Sequence, residues 1–182
     1  DAQILKEGTV DFVSFSYYMT SCMAASTDGL EMSPGNTVNG VKNPYLTSSE
    51  WGWQTDPIGL RISLVELYDR SRKPLFIVEN GLGAHDTLTE DGKVHDPYRI
   101  EYLKEHVKAM SDAINIDGVD LLGYTWWGCI DLISESTRQM SKRYGFVYVD
   151  LDDEGHGTYK RYRKDSFYYY KKLIAANGNV DA

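Results

Sequence analysis

The chain has 182 residues, 42% of them hydrophobic, and a formal net charge of −8. That length and apolar content allow a buried core and exclude a disordered or collagen-like chain, while the acidic balance argues against a nucleic-acid partner, which is usually met with a basic face. No apolar run approaches the ~20 residues of a membrane span, so no membrane partner is expected.

From Val10 to Tyr18 the chain is β-branched and aromatic with little charge, which predicts a strand buried on both faces. Met32 to Pro44 turns to Ser, Pro, Gly and Asn and predicts a long loop. Asp56-Pro57 is a helix start, and Leu60, Leu64, Leu67 and Tyr68 recur on one face of the amphipathic helix that follows. Lys73-Pro74 ends that helix. Leu75 to Val78 is then a short apolar run closed by Glu79-Asn80-Gly81, a buried strand with a carboxylate at its C-terminal end. Asp96-Pro97 repeats the helix-start signal, and Ile100, Leu103, Val107, Met110 and Ile114 form a helical stripe toward Asn115. Val119 to Trp127 predicts a third buried strand, so the order strand, helix, strand, helix, strand implies βαβ units and a parallel sheet. Gly145 to Asp150 and Thr158 to Tyr162 flank the turn-rich Asp152 to Gly157 and predict a hairpin. Asp165 is expected to cap a last helix that carries Phe167, Tyr169, Tyr170 and Ile174 and ends near Asn177-Gly178.

Cys22 and Cys129 lie far apart in apolar surroundings, so buried thiols in a reducing, cytoplasmic setting are expected. The start, Asp1 to Gly8, has no basic stretch followed by an apolar one, in keeping with that location. His85, His95, His106 and His156 lack metal-ligand spacing and are expected at the surface or in loops, with no metal and no organic cofactor. The basic residues are uneven. Lys160, Arg161, Arg163 and Lys164 form one group and Arg138, Lys142 and Arg143 another, and by themselves both read as solvated, salt-paired segments, a reading that sequence context reverses for the second of these.

Three strands cannot close a (βα)8 barrel, which needs eight and ~250 residues. Catalytic groups of parallel α/β folds collect at the C-terminal ends of strands, here Ser16 to Tyr18, Glu79 to Gly81 and Trp126 to Asp131. Glu79 is the sharpest candidate, because a carboxylate at the mouth of a core can be tuned as a nucleophile and Asn80-Gly81 permits an immediate turn that keeps it at the rim. Taken alone, a glutamate at a strand end is more often a helix cap or an ion-pair partner.

Ile77-Val78-Glu79-Asn80-Gly81 resembles the nucleophile motif of glycoside hydrolase family 1. Val10-Asp11-Phe12 leading to Tyr17-Tyr18 resembles the sixth-strand segment of that family, whose second tyrosine hydrogen-bonds the nucleophile, a role that falls on Tyr18. Gly123-Tyr124 to Trp127, then Asp131, resembles the eighth-strand segment, whose tryptophan forms the sugar platform, here Trp127. The resemblance covers essentially the whole chain. It implies an α/β fold, a (βα)8 TIM barrel, of which residues 1–182 would be the C-terminal part, strands 6 to 8 with their helices, the N-terminal part being absent. It also implies hydrolysis of β-glycosides with retention, through a covalent glycosyl-enzyme intermediate on Glu79. Retention needs a second carboxylate about 5 to 5.5 Å away, acting as acid and then as base. In the family it lies in an Asn-Glu-Pro motif, which does not occur in this sequence. The remainder of the barrel, in the same or another chain, is thus an expected partner, and homo-oligomers remain open.

After Ile130-Asp131-Leu132-Ile133 most β-glucosidases of the family carry a Glu-Trp pair whose glutamate binds the sugar O4 and O6 hydroxyls, whereas this chain has Ser134-Glu135. Loss of that carboxylate removes repulsion against an anionic group on O6. Ser134 with Lys142 and Tyr144 resembles the cluster with which the 6-phospho-glycosidase branch binds the 6-phosphate. A hydroxyl, an ammonium and a phenol suit a phosphate chemically, although outside a barrel the same residues would read as a polar loop. Ser16, before the paired tyrosines, also fits that branch. Glu135 is at odds with a bound anion unless it turns away or pairs with Arg138 or Arg143. The implied activity is hydrolysis of 6-phospho-β-D-glucosides, with a phosphorylated β-glucoside as the substrate. The alternatives are a 6-phospho-β-galactosidase, which tends to place tryptophan where Glu135 stands, a general β-glucosidase and, for the fragment alone, a non-catalytic sugar-binding or complementing piece.

Overall fold

The computed structural model describes residues 1–35 and 38–180. In chain order the elements are α1 (Ala2–Glu7), β1 (Val13–Ser16), β2 (Met32–Ser33), β3 (Gly40–Val41), α2 (Pro57–Ser71), β4 (Leu75–Glu79), α3 (Pro97–Asn115), β5 (Leu121–Tyr124), β6 (Val147–Val149), β7 (Arg161–Arg163) and α4 (Asp165–Ala175). Strands β1, β4 and β5 form a parallel sheet in that order, with α2 and α3 as crossover helices, so the βαβ reading holds. The loop expected at 32–44 holds the short β2–β3 ladder, and the expected hairpin is the antiparallel pair β6–β7. No helix among the described residues is long and apolar enough to cross a membrane.

Both helix starts exist, but the two aspartates do different things. The Asp56 carboxylate accepts from Gly59 N at 2.8 Å, an N-cap of the kind that contributes about 1 kcal/mol. Asp96 precedes Pro97 without capping α3: its carboxylate is taken by Arg99 at 2.5 Å and by the Ser166 hydroxyl at 2.5 Å. Asp165 is likewise not the cap of α4. Lys164 holds that position, and Asp165 pairs with His95 at 2.6 Å.

The core lies between the sheet and the helices, around Leu60, Leu64, Leu75, Ile77 and Leu103, all fully buried. Val13 and Phe15 pack against it from β1, while Ser14 and Ser16 are exposed. Burial on both faces, expected for the first strand, and full burial, expected for the second and third, are therefore corrected. Each of β1 and β5 has β4 on one side only, and the face away from the helices is uncovered, which leaves Val78 40% and Leu122 56% exposed. Both strands are also shorter than their apolar segments.

Three further expectations change. His106 sits on the buried face of α3, stacked on Tyr102 at 3.9 Å between ring centres, with Nδ1 2.7 Å from Tyr102 O, because its position matches the helical stripe rather than a loop. Cys22 and Cys129 are both exposed free thiols, since the loops that carry them run over the surface. Lys164 is fully buried rather than solvated. Its ammonium bonds Asp131 at 2.7 Å and also Asp86. Asp86, Asp96, Asp131, Arg99, Lys164 and Arg143 make a balanced buried network of three anions and three cations, in which removing one partner costs about 3 to 5 kcal/mol.

Candidate active site

The three parallel strands bring their C-terminal ends together. Glu79 is the last residue of β4 and the register partner of Ser16 on β1, and Tyr17 N donates to Glu79 O at 2.8 Å. This pairing carries Tyr18 past the end of β1, where its phenol donates to Glu79 Oε2 at 3.1 Å. Burial first, and then the neighbouring Glu79 carboxylate, raises the Tyr18 phenol far above its ordinary value, so it stays a donor.

On the other side Trp127 N donates to Asn80 O at 2.8 Å, extending the β4–β5 pairing to Trp127. Gly81 permits this approach, because a Cβ there would stand 2.3 Å from Trp127 O. The side chain of Asn80 points away from the cleft into the core. Its amide donates to Tyr17 O at 2.8 Å and to the Tyr102 hydroxyl at 3.0 Å, and it accepts from Tyr124 at 2.8 Å. A fully satisfied buried amide of this kind locks the backbone next to Glu79.

Tyr18, Trp53, Glu79, Trp127, Ser134, Glu135, Ser136 and Tyr144 line one cleft of about 230 Å³. Five residues singled out from sequence, Glu79, Tyr18, Trp127, Ser134 and Tyr144, thus meet in one place. Lys142 stands just behind: its Nζ lies 4.0 Å from the centre of the Trp53 ring, 5.5 Å from that of Trp51 and 5.7 Å from that of Tyr144. It is buried with no carboxylate in ion-pair range among the described residues, and burial lowers its pKa to about 8. Ser134 Oγ is buried with no group at full hydrogen-bonding distance, and the Tyr144 phenol is its neighbour. Burial raises the Tyr144 phenol. An unneutralised cation behind the cleft, with a hydroxyl and a protonated phenol in its lining, has the chemistry to receive an anion.

Ser16 is not part of the cleft lining; it is exposed beside Glu79. Arg143 does not meet Glu135 either. Its guanidinium is buried against Asp131 at 3.0 Å, and Glu135 is exposed at the cleft rim. Trp51 and Trp53 were not singled out from sequence. Both belong to a loop, where no periodicity tells which way a side chain points; the only signal was two of the four tryptophans just before the Asp56-Pro57 helix start.

Parallel βα units with a carboxylate, a phenol bonded to it and an indole at the C-terminal strand ends match the arrangement of functional groups on (βα)8-barrel folds. The chain belongs to glycosyl hydrolase family 1, which residues 1–179 match. It is 61% identical over 180 residues to the aryl-phospho-beta-D-glucosidase BglH of Bacillus subtilis (strain 168), a match that covers 98% of this chain and 38% of the relative. It is 58% identical over 178 residues to the 6-phospho-beta-glucosidase AscB of Escherichia coli (strain K12), covering 98% and 37%. A 6-phospho-beta-galactosidase of Leptotrichia buccalis is 37% identical over 178 residues, covering 90% and 36%. Among solved structures, the family 1 b-glucosidase from Thermotoga maritima in complex with isofagomine lactam superposes with a TM-score of 0.76 at 33% identity, covering 93% of this chain and 35% of that one. The chain therefore spans less than two fifths of the length of these relatives.

Proposed function

We propose that these residues are the C-terminal part of the barrel of a retaining 6-phospho-β-glucosidase, and that they carry its nucleophile and its phosphate site. In this reading Glu79 attacks the anomeric carbon, forming a carbon–oxygen bond as the glycosidic bond breaks. The departing oxygen takes its proton from a second, protonated carboxyl group outside these 182 residues, which is left as a carboxylate. Water then cleaves the ester, giving a proton to that same carboxylate. Tyr18 orients Glu79 and steadies its charge, Trp127 stacks on the sugar, and Ser16 stands beside the nucleophile. Ser134, Lys142 and Tyr144 hold the 6-phosphate.

The observation that carries the phosphate reading is the Lys142 ammonium, buried and unpaired among the described residues, 5.7 Å from the centre of the Tyr144 ring, which shares the cleft of Glu79 with Ser134. The 56–61% identity to relatives named as aryl-phospho-beta-D-glucosidases and 6-phospho-beta-glucosidases favours the glucoside over the galactoside. The rest of the barrel, in the same or another chain, completes the site, and a cytoplasmic location suits substrates phosphorylated during uptake.

The test is a two-by-two assay in the complete enzyme, wild type against Lys142→Ala, on an aryl β-glucoside with and without a 6-phosphate. A charge-assisted phosphate contact is worth roughly 1.5 to 3 kcal/mol, so catalytic efficiency on the phosphorylated substrate falls about 10- to 150-fold, and far less on the other. Equal losses on both would make Lys142 structural. A wild type that prefers the unphosphorylated sugar would mean a general β-glucosidase.

A further inference from the structure

Arg143, which lies between two groups of the anion site, faces away from it and is tightly fixed. Its backbone pairs with Ala84 in an antiparallel bridge, N–H to O in both directions at 3.0 Å. Successive side chains of an extended segment point to opposite sides, so residues 142 and 144 share the side that 143 does not. Gly83 marks that shared side, since a Cβ there would meet both the Lys142 stem and the Tyr144 ring.

On the other side the Arg143 guanidinium donates to Asp131 Oδ2 at 3.0 Å, Val149 O at 2.9 Å and Leu151 O at 2.8 Å, and lies 4.0 Å from the centre of the Tyr148 ring. Its carbonyl accepts from Arg99 at 2.9 Å. Asp131 in turn accepts from Gly145 N at 2.9 Å and from Lys164 at 2.7 Å. One buried pair thus ties together the two segments that supply the anion site: Asp131 begins the stretch that leads to Ser134, and Arg143 separates Lys142 from Tyr144. A lysine could not replace the arginine, because a single ammonium cannot reproduce the planar fork that reaches a carboxylate and two carbonyls at once.

We infer that Arg143, through its buried pair with Asp131, is a positioning residue that sets Lys142 and Tyr144 against Ser134 and so governs selectivity for an anionic group on the sugar. The inference rests on the phosphate reading above. Arg143 itself never touches the substrate; it acts through the residues on either side of it.

The experiment uses the complete enzyme and reads the ratio of kcat/KM on a 6-phosphorylated aryl β-glucoside to that on its unphosphorylated counterpart. Arg143→Met lowers the ratio about tenfold or more, chiefly by raising KM on the phosphorylated substrate. Arg143→Lys and Asp131→Asn, which keep size or charge, lower it in the same direction and carry the test if Arg143→Met fails to fold. In a Lys142→Ala, Tyr144→Phe background the same three substitutions leave the ratio unchanged, because the route through which Arg143 acts is gone. Equal losses on both substrates overturn the inference and leave Arg143 as a stabilising residue only. So does an undiminished loss of ratio in the double-variant background. A wild-type ratio below one overturns the phosphate reading itself, and the inference with it.

Discussion

The Lys142 ammonium stands 4.0 Å from the centre of the Trp53 ring, and Trp53 in turn meets Tyr18 edge-on at 5.7 Å between ring centres. A single indole therefore links the proposed phosphate lysine to the tyrosine that bonds Glu79. Cation–π attraction partly offsets the loss of water around the ammonium without neutralising its charge, which leaves it free to meet an anion.

That arrangement sets a pH dependence. With a pKa lowered to about 8 by burial, Lys142 is charged below that value and loses its charge as the pH rises through it. The kcat/KM on a 6-phosphorylated substrate, which reports the free enzyme, falls above about pH 8, while that on the unphosphorylated substrate does not follow. Profiles of both substrates from pH 6 to 10 check it, and identical profiles would remove Lys142 from the phosphate site.

Glu79→Gln lowers turnover by at least about three orders of magnitude with little change in substrate binding, because a nucleophile acts in the transition state. In the wild type, a 2-deoxy-2-fluoro glycoside 6-phosphate labels Glu79 covalently, since fluorine slows breakdown of the intermediate more than a good leaving group slows its formation. Peptide mapping that put the label on another residue would discard the assignment.

Tyr18→Phe removes the 3.1 Å hydrogen bond to Glu79 Oε2 and nothing else from that contact. A hydrogen bond to a charged group is worth about 1.5 to 3 kcal/mol, so kcat falls about 10- to 150-fold. The loss is the same on phosphorylated and unphosphorylated substrates, in contrast to that of Lys142→Ala. Steady-state kinetics on the same pair of substrates separates the two, and a loss confined to the phosphorylated one would assign Tyr18 to the wrong end of the cleft.

Burial lowers the His106 pKa from 6.5 to about 4. The unfolded chain therefore binds a proton that the folded one does not between those values. Stability from this residue is complete above pH 6.5 and is lost as the pH falls toward 4, by about 3 kcal/mol at most. Thermal unfolding from pH 7 to 4 shows a shallower decline for His106→Leu than for the wild type, and parallel declines would place the acid sensitivity elsewhere.

The sequence by itself determined the elements and their order. Proline after aspartate at 56–57 and 96–97, apolar stripes at helical spacing and an apolar run ending in Glu79 are local signals, and each is read within a few residues of where it acts. The family motifs went further and placed Glu79, Tyr18, Trp127, Ser134 and Tyr144, which the fold brings to one cleft.

Only the tertiary structure decided which buried charges are neutralised and which stands unpaired behind the cleft. Nothing local tells that Lys142 stands unpaired among aromatic rings while Arg143 and Lys164 neutralise Asp131 and Asp86. The reason is the distance along the chain. Asp86 lies 78 residues before Lys164, and Asp131 lies 33 residues before it. No local pattern encodes such a partner; it exists once the loop after β4, the loop after β5 and the start of α4 are packed together. The same holds for Trp53, whose role depends on meeting Lys142 and Tyr18 from two distant strand ends.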